Sequence, residues 1–222
     1  MLLAQNLKKS YPNPEGGISH ILDLNELKVE SGEQVFLKGG SGSGKTTLLN
    51  ILTGILKPDS GIVKIDDTTL WELNESKRDL YRAKNIGIIF QVFHLLPGLT
   101  ALENVMIGMH FSGKVKKAHA IELLNEVGLS DRIHYKPAQL SVGQQQRVAV
   151  ARALANQPKI VFADEPTGSL DPKMADLAME NIQKLCKKHN AALIWVSHAP
   201  DQIHKFDRSI DLKDLSNLSE IS

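Results

Sequence analysis

Three stretches of this 222-residue sequence carry residue types whose spacing suits chemistry on phosphate. The first is Gly39-Gly40-Ser41-Gly42-Ser43-Gly44-Lys45-Thr46, with Gln34-Val35-Phe36-Leu37 before it and an apolar pattern of Leu48, Leu49, Ile51 and Leu52 after it. Glycines let a backbone turn tightly, so that successive N–H groups point inward at phosphate oxygens. A helix that starts at such a loop adds the positive end of its dipole. Strand, glycine-rich loop and helix together read as a P-loop, with Lys45 reaching the β- and γ-phosphates and the Thr46 hydroxyl ligating Mg²⁺.

The second stretch is Lys159-Ile160-Val161-Phe162-Ala163-Asp164-Glu165. An apolar strand ending in an acid holds that acid at the carboxyl edge of a sheet, where α/β proteins bind ligands. Asp164 is expected to hold Mg²⁺ through its water, and Glu165 to polarise the attacking water. These two motifs license an ATPase or a GTPase. The third stretch begins Leu140-Ser141-Val142-Gly143-Gln144, where Ser141 and Gln144 have capping-box spacing at the start of a helix. That helix also presents free N–H groups and a positive dipole end, a second phosphate-binding device on one chain.

From Leu140 to Leu154 the sequence resembles the signature of ABC ATPases, with Val142 where glycine is usual. The resemblance runs from Tyr11 to His198 and implies ATP hydrolysis with Mg²⁺. It implies that Tyr11 stacks on adenine and that the P-loop, through Thr47, cradles the phosphates. Gln91, after Ile88-Ile89-Phe90, matches the glutamine that touches Mg²⁺ and attacking water. Ser169-Leu170-Asp171 matches the loop that crosses the dimer interface, and His198 matches the switch histidine at the γ-phosphate. Ser141, Gly143 and Gln144 are then expected to meet the nucleotide of a second copy in a head-to-tail dimer.

The elements that must position these residues follow from periodicity. Apolar stretches around Ile21–Val29 and Ile62–Ile65 read as antiparallel strands. Two continuous apolar strands, 159–163 and 191–197, flank a helix that starts at Asp171-Pro172, which implies a parallel sheet covered on both faces. Thr100-Ala101-Leu102-Glu103 has capping-box spacing, and Ala118, Ile121, Leu124 and Val127 mark a further helix ending at Gly128. The expected fold is α/β: a P-loop core with a mainly parallel sheet and an antiparallel β lobe (about 1–91 and 158–222), and an inserted helical lobe (about 92–157).

Composition sets the surroundings. With 26 basic and 25 acidic residues, no global field recruits nucleic acid or anionic lipid. Cys186 stands alone, which fits a reducing compartment, and its expected place is the core. No apolar run approaches the roughly 20 residues of a spanning helix, so membrane attachment is expected through an integral membrane permease subunit on the cytoplasmic face. No long coiled-coil insertion or tandem cassette of the soluble DNA-repair and translation ATPases is present. The run Phe90 to Val105 looks like the lipoprotein-releasing and macrolide-exporting group, which implies extraction or export of an amphiphile. The cell-division member of that group, which transmits force to cell-wall hydrolases without transport, is the alternative. Apolar Phe93, Leu95, Leu96 and Leu99 beside Gln91 are expected to supply both lobe core and partner groove.

Overall fold

The computed structural model describes residues 1–40, 42–168, 170–198 and 200–215. One sheet contains β1 (Leu2–Pro12), β2 (Ile18–Val29), β4 (Ser60–Ile65) and β5 (Thr68–Thr69) in the order β2-β1-β4-β5, with every pair antiparallel. The other contains β3 (Gln34–Lys38), β6 (Ile86–Ile89), β7 (Ile160–Asp164), β8 (Ala192–Ser197) and β9 (Arg208–Asp211). Its order is β6-β7-β8-β3-β9 and all four pairings are parallel. The helices are α1 (Lys45–Leu52), α2 (Glu75–Asn85), α3 (Ala101–Ser112), α4 (Lys117–Glu126), α5 (Val142–Leu154), α6 (Pro172–Lys188) and the short α7 (Leu212–Leu215).

The parallel strands are apolar throughout because both of their faces are covered. Their alternation sorts residues between two cores. Val161, Ala163, Leu193, Trp195 and Phe36 face the helices α3 to α6. Ile160, Phe162, Ile194, Val196, Val35 and Leu37 face α1 and the antiparallel sheet. A strand with a core on each side is held rigidly in depth and register, so the acids at the end of β7 have little freedom to move.

Caps fix where the helices begin. Thr100 and Glu103 form both bonds of the capping box ahead of α3, and Asp171 accepts from the Met174 N–H at 3.1 Å ahead of Pro172. The fully buried Asn104 then shapes the segment that returns from Gln91. Its Oδ1 accepts from the Leu96 N–H at 2.8 Å, and its Nδ2 lies 3.0–3.1 Å from the carbonyls of Leu96, Leu99 and Thr100. Such a side chain satisfies backbone groups that a loop cannot pair for itself.

One expectation changes in detail. The buried face of α4 is Ala120, Leu123 and Leu124, whereas Ala118 is exposed. The i, i+3, i+4 stripe starts two residues later because the first turn of α4 points outward from the lobe. Of the apolar run after Gln91, Phe93 is buried and Leu95 packs on the helical core, leaving Val92 and Leu96 exposed. Cys186 is buried, and burial pushes its thiol up to about 12.

An ion pair ties the helical side to α6. Burial of Glu126 favours its neutral form, but bonds from Lys188 (2.7 Å) and His189 (3.0 Å) outweigh this and hold its carboxyl below the ordinary range. A lowered folded pKa contributes stability above the unfolded value, lost as pH falls through the folded one. The Glu126→Gln variant is expected to lose about 1 kcal/mol at pH 7 and nothing near pH 3, checked by denaturant melts at the two pH values. Equal losses at both would show that packing, rather than charge, is what Glu126 supplies.

Candidate active site

The P-loop leaves β3 and closes onto α1 through a position only glycine fits. Gly44 has φ 85°, and a Cβ there would lie 2.7 Å from the Ile21 carbonyl oxygen. It is also the N-cap of α1, with no side-chain cap and no acid in the first turn, so the helix presents bare N–H groups. Lys45 is only 9% exposed and donates to the carbonyls of Gly39 and Gly40, both at 2.7 Å. The Ser43 hydroxyl is buried without a partner. A buried cation resting on neutral carbonyls, an orphaned hydroxyl and bare helix N–H groups together form a cradle for an anion.

The cradle opens into a cavity of about 530 Å³. Gly42, Ser43, Gly44, Lys45, Thr46 and Thr47 line one side of it, and Gln91, Asp164, Glu165 and His198 line the other. Asp164 ends β7, half-buried. Desolvation, then the charge of Glu165, push its carboxyl up, while the Lys45 cation pulls it down. A cation arriving there would relieve both upward effects.

Glu165 adopts φ 42°, the left-handed region that costs a non-glycine residue of order 1 kcal/mol or more. Three bonds impose it. Its N–H donates to the Val196 carbonyl on β8 at 2.9 Å, and its carbonyl accepts from the Gly168 N–H at 3.0 Å. The next carbonyl, of Pro166, accepts from the buried Gln146 Nε2 at 2.6 Å. The turn swings the Glu165 carboxylate to 2.9 Å from His198 Nδ1. The Gln91 amide packs beside Gly168, at the other end of the same turn.

The ABC transporter pattern matches residues 22–168 of this fold, more than half of the chain. The chain belongs to the ABC transporter family. Along 96% of its length it is 42% identical to the lipoprotein-releasing system ATP-binding protein LolD of Legionella pneumophila, covering 95% of that protein. It is 41% identical to the uncharacterized ABC transporter ATP-binding protein YvrO of Bacillus subtilis, with 96% and 94% covered. It is also 42% identical to the macrolide export ATP-binding/permease protein MacB of Photorhabdus laumondii, of which it spans 33%. Among solved structures it resembles a dimeric post-hydrolysis state of the ATP-binding cassette MJ0796 bound to ADP and Pi. The TM-score is 0.86 at 39% identity, with 96% and 95% of the two chains covered. The cassette is an ATP-binding, ATP-hydrolysing subunit of ABC transporter type.

Other residues picked out by the sequence lie away from the cradle. Ser141 and Gln144 form both bonds of their capping box at the start of α5, with Gly143 between them, and none of the three lines the cavity. Tyr11, at the end of β1, is 39% exposed with Lys9 Nζ 5.5 Å from its ring centre. Ser41 and Ser169 lie outside the described residues. Sequence reading missed Gln146 and Arg152. Arg152, largely desolvated, donates to the carbonyls of Phe93 (2.6 Å) and His94 (2.7 Å), which anchors the segment after Gln91 to α5. A glutamine on the buried face of an otherwise apolar helix was the available signal for the first of them.

Proposed function

We propose that this cassette works as a head-to-tail dimer bound to an integral membrane permease subunit. In this reading its ATP cycle drives export or extraction of an amphiphilic substrate from the cytoplasmic face of the membrane. The observation that carries the dimer is that α1 and α5, both starting without an acid in the first turn, begin on different parts of one chain, the start of α5 lying outside the P-loop cavity. In this reading Gly39, Gly40, Ser41 and Gly42 to Thr47 wrap the phosphates of one ATP. Ser141, Gly143 and Gln144 close on the ATP of the other copy. The solved relative MJ0796, named as dimeric, supports it. Full-length similarity to LolD and to the ATP-binding part of MacB supports the amphiphile.

The chemistry assigns each residue a task. Lys45 leaves the Gly39 and Gly40 carbonyls for the β- and γ-phosphates, and Ser43 gains the acceptor it lacks. Thr46, Gln91 and Asp164 offer a hydroxyl, an amide oxygen and a carboxylate, a hard oxygen set that suits Mg²⁺ keeping several waters. Bound there, Mg²⁺ supplies charge neutralisation on the phosphates. Glu165 accepts the proton of the attacking water as its oxygen bonds to the γ-phosphorus and the bond to ADP breaks. His198, hydrogen-bonded to Glu165, orients that carboxylate and contacts the γ-phosphate.

Tyr11 stacks on adenine in this reading. The Tyr11→Ala variant is expected to bind ATP about 1 kcal/mol more weakly with little change in maximal rate, and Tyr11→Trp to restore affinity. Unchanged affinity in the alanine variant, measured by nucleotide titration, would return Tyr11 to a purely structural place. The function itself is tested by isolating the co-purifying membrane subunit and reconstituting the pair in lipid vesicles. ATP-dependent release of a lipoprotein, lipid or drug-like amphiphile is the expected result. ATP hydrolysis coupled only to a cell-wall hydrolase partner would overturn export in favour of force transmission.

A further inference from the structure

A second cavity, of about 390 Å³, shares no lining residue with the P-loop cavity and lies where the last turns of α2 and α3, the start of α4 and the exit of α5 meet. Its floor is apolar, from Met109 and Ala155, and no acidic residue lines it. Its rim carries Lys84, Lys114 and Lys116, and Lys117 follows directly. None of these four lysines makes an ion pair among the described residues. The wall is rigid: Asn156 Nδ2 donates to the carbonyls of Ala83 (2.8 Å) and Gly108 (2.7 Å), and its Oδ1 accepts from Ser112 at 2.9 Å.

Three features there are unfavourable in water alone. Lys114, Lys116 and Lys117 crowd the positive end of α4, where cations are repelled, and α4 has neither a side-chain cap nor an acid in its first turn. His119 lines the cavity with its Nε2 buried and unpartnered, while its Nδ1 faces Glu122 at 3.6 Å. Beside these cations Phe111 is 72% exposed and Val115 40% exposed, an expensive placement for apolar side chains that meet only water. Apolar side chains interleaved with lysines are the surface chemistry of contact with an anionic lipid interface. The nearly balanced charge of the whole chain conceals this local cluster.

We propose that this corner binds an anionic phospholipid headgroup. Lys84, Lys114 and Lys116 hold the phosphate oxygens, His119 lies in the wall beside them, and Val115 and Phe111 rest in the lipid interface. A cavity of this volume exceeds what a bare phosphate fills, which favours the headgroup of a phosphodiester. Phe111 also borders the groove between α2 and α3, so the same corner would set the cassette's face toward the bilayer next to its permease.

The test is flotation of the isolated full chain with protein-free vesicles, so its outcome is independent of any permease. Binding is expected to vesicles containing phosphatidylglycerol and not to phosphatidylcholine alone. Each lysine near an anionic surface is worth about fivefold in binding, so the Lys114→Gln/Lys116→Gln double variant should bind roughly 25-fold more weakly. Its ATP hydrolysis in solution should be unchanged, since neither lysine touches the P-loop cavity. Phosphatidylglycerol should also shift the His119 imidazole resonances in the parent and not in the double variant. Equal vesicle binding by parent and variant, or no binding by either, would overturn the proposal. A His119 shift with inorganic phosphate but none with phosphatidylglycerol vesicles would assign the cavity to a free anion and overturn the lipid.

Discussion

The Glu165→Gln variant is expected to hydrolyse ATP about two to four orders of magnitude more slowly than the parent while still binding ATP. Glutamine keeps the shape and the hydrogen bond to His198 but cannot take a proton from water. The strained backbone at Glu165 is held by the main chains of Val196 and Gly168 and by the Gln146 side chain on the Pro166 carbonyl, none of them using the Glu165 carboxylate, so the substitution leaves the turn in place. With turnover blocked, ATP should hold two copies together, because contacts that exist only in the closed dimer persist for as long as the γ-phosphate does. Phosphate release and size-exclusion chromatography with ATP read the two effects. Near-normal turnover would remove Glu165 from the role of base. Slow turnover without a trapped dimer would keep the base and refute the shared nucleotide.

Different parts of this molecule were legible in its sequence for different physical reasons. The strands at 160–164 and 192–197 were legible because burial on both faces demands unbroken apolar runs. The starts of α3, α5 and α6 were legible because a cap must be a specific residue at a fixed offset. The helix α2 was not: ESKRDLYRAKN buries none of its residues, so no apolar stripe marks it, and only Asn74 capping the Lys77 N–H at 2.9 Å signals its start. The edge strand β9 is short and half-exposed, and its pairing with β3 is specified by a neighbour 170 or so residues earlier in the chain. Around the P-loop cavity the glycine-rich loop, Asp164 and Glu165 were legible as types at spacings, and Gln91 and His198 only through the family resemblance. The bond from Gln146 to the Glu165 turn was not, since a buried amide finds its partner only once α5 and β7 are packed.

The second large effect expected is on assembly. Between α2 and β6 on one side and α3 and α5 on the other runs a groove of about 610 Å³, bordered by Leu80, Ile88, Phe90 and Arg152. Leu80 is 43% exposed, so in the isolated chain it tolerates a polar substitute with little cost. Under a docked permease helix the same position would be dry, and a carboxylate there would be buried without a partner. The Leu80→Glu variant is therefore expected to bind the membrane subunit roughly a hundredfold more weakly or worse, with basal ATP hydrolysis unchanged. Groove and cavity are linked physically. Arg152 borders the groove and holds the carbonyls of Phe93 and His94, two and three residues past Gln91. If a permease helix docks there and shifts Arg152, Gln91 is expected to shift with it, and by reciprocity the state of the nucleotide would alter affinity for the helix. Co-purification measures assembly, and stimulation of ATP hydrolysis by the reconstituted permease measures coupling. Loss of folding and basal activity together would make Leu80 a structural residue. Normal assembly with normal stimulation would place the docking surface on another face of the cassette.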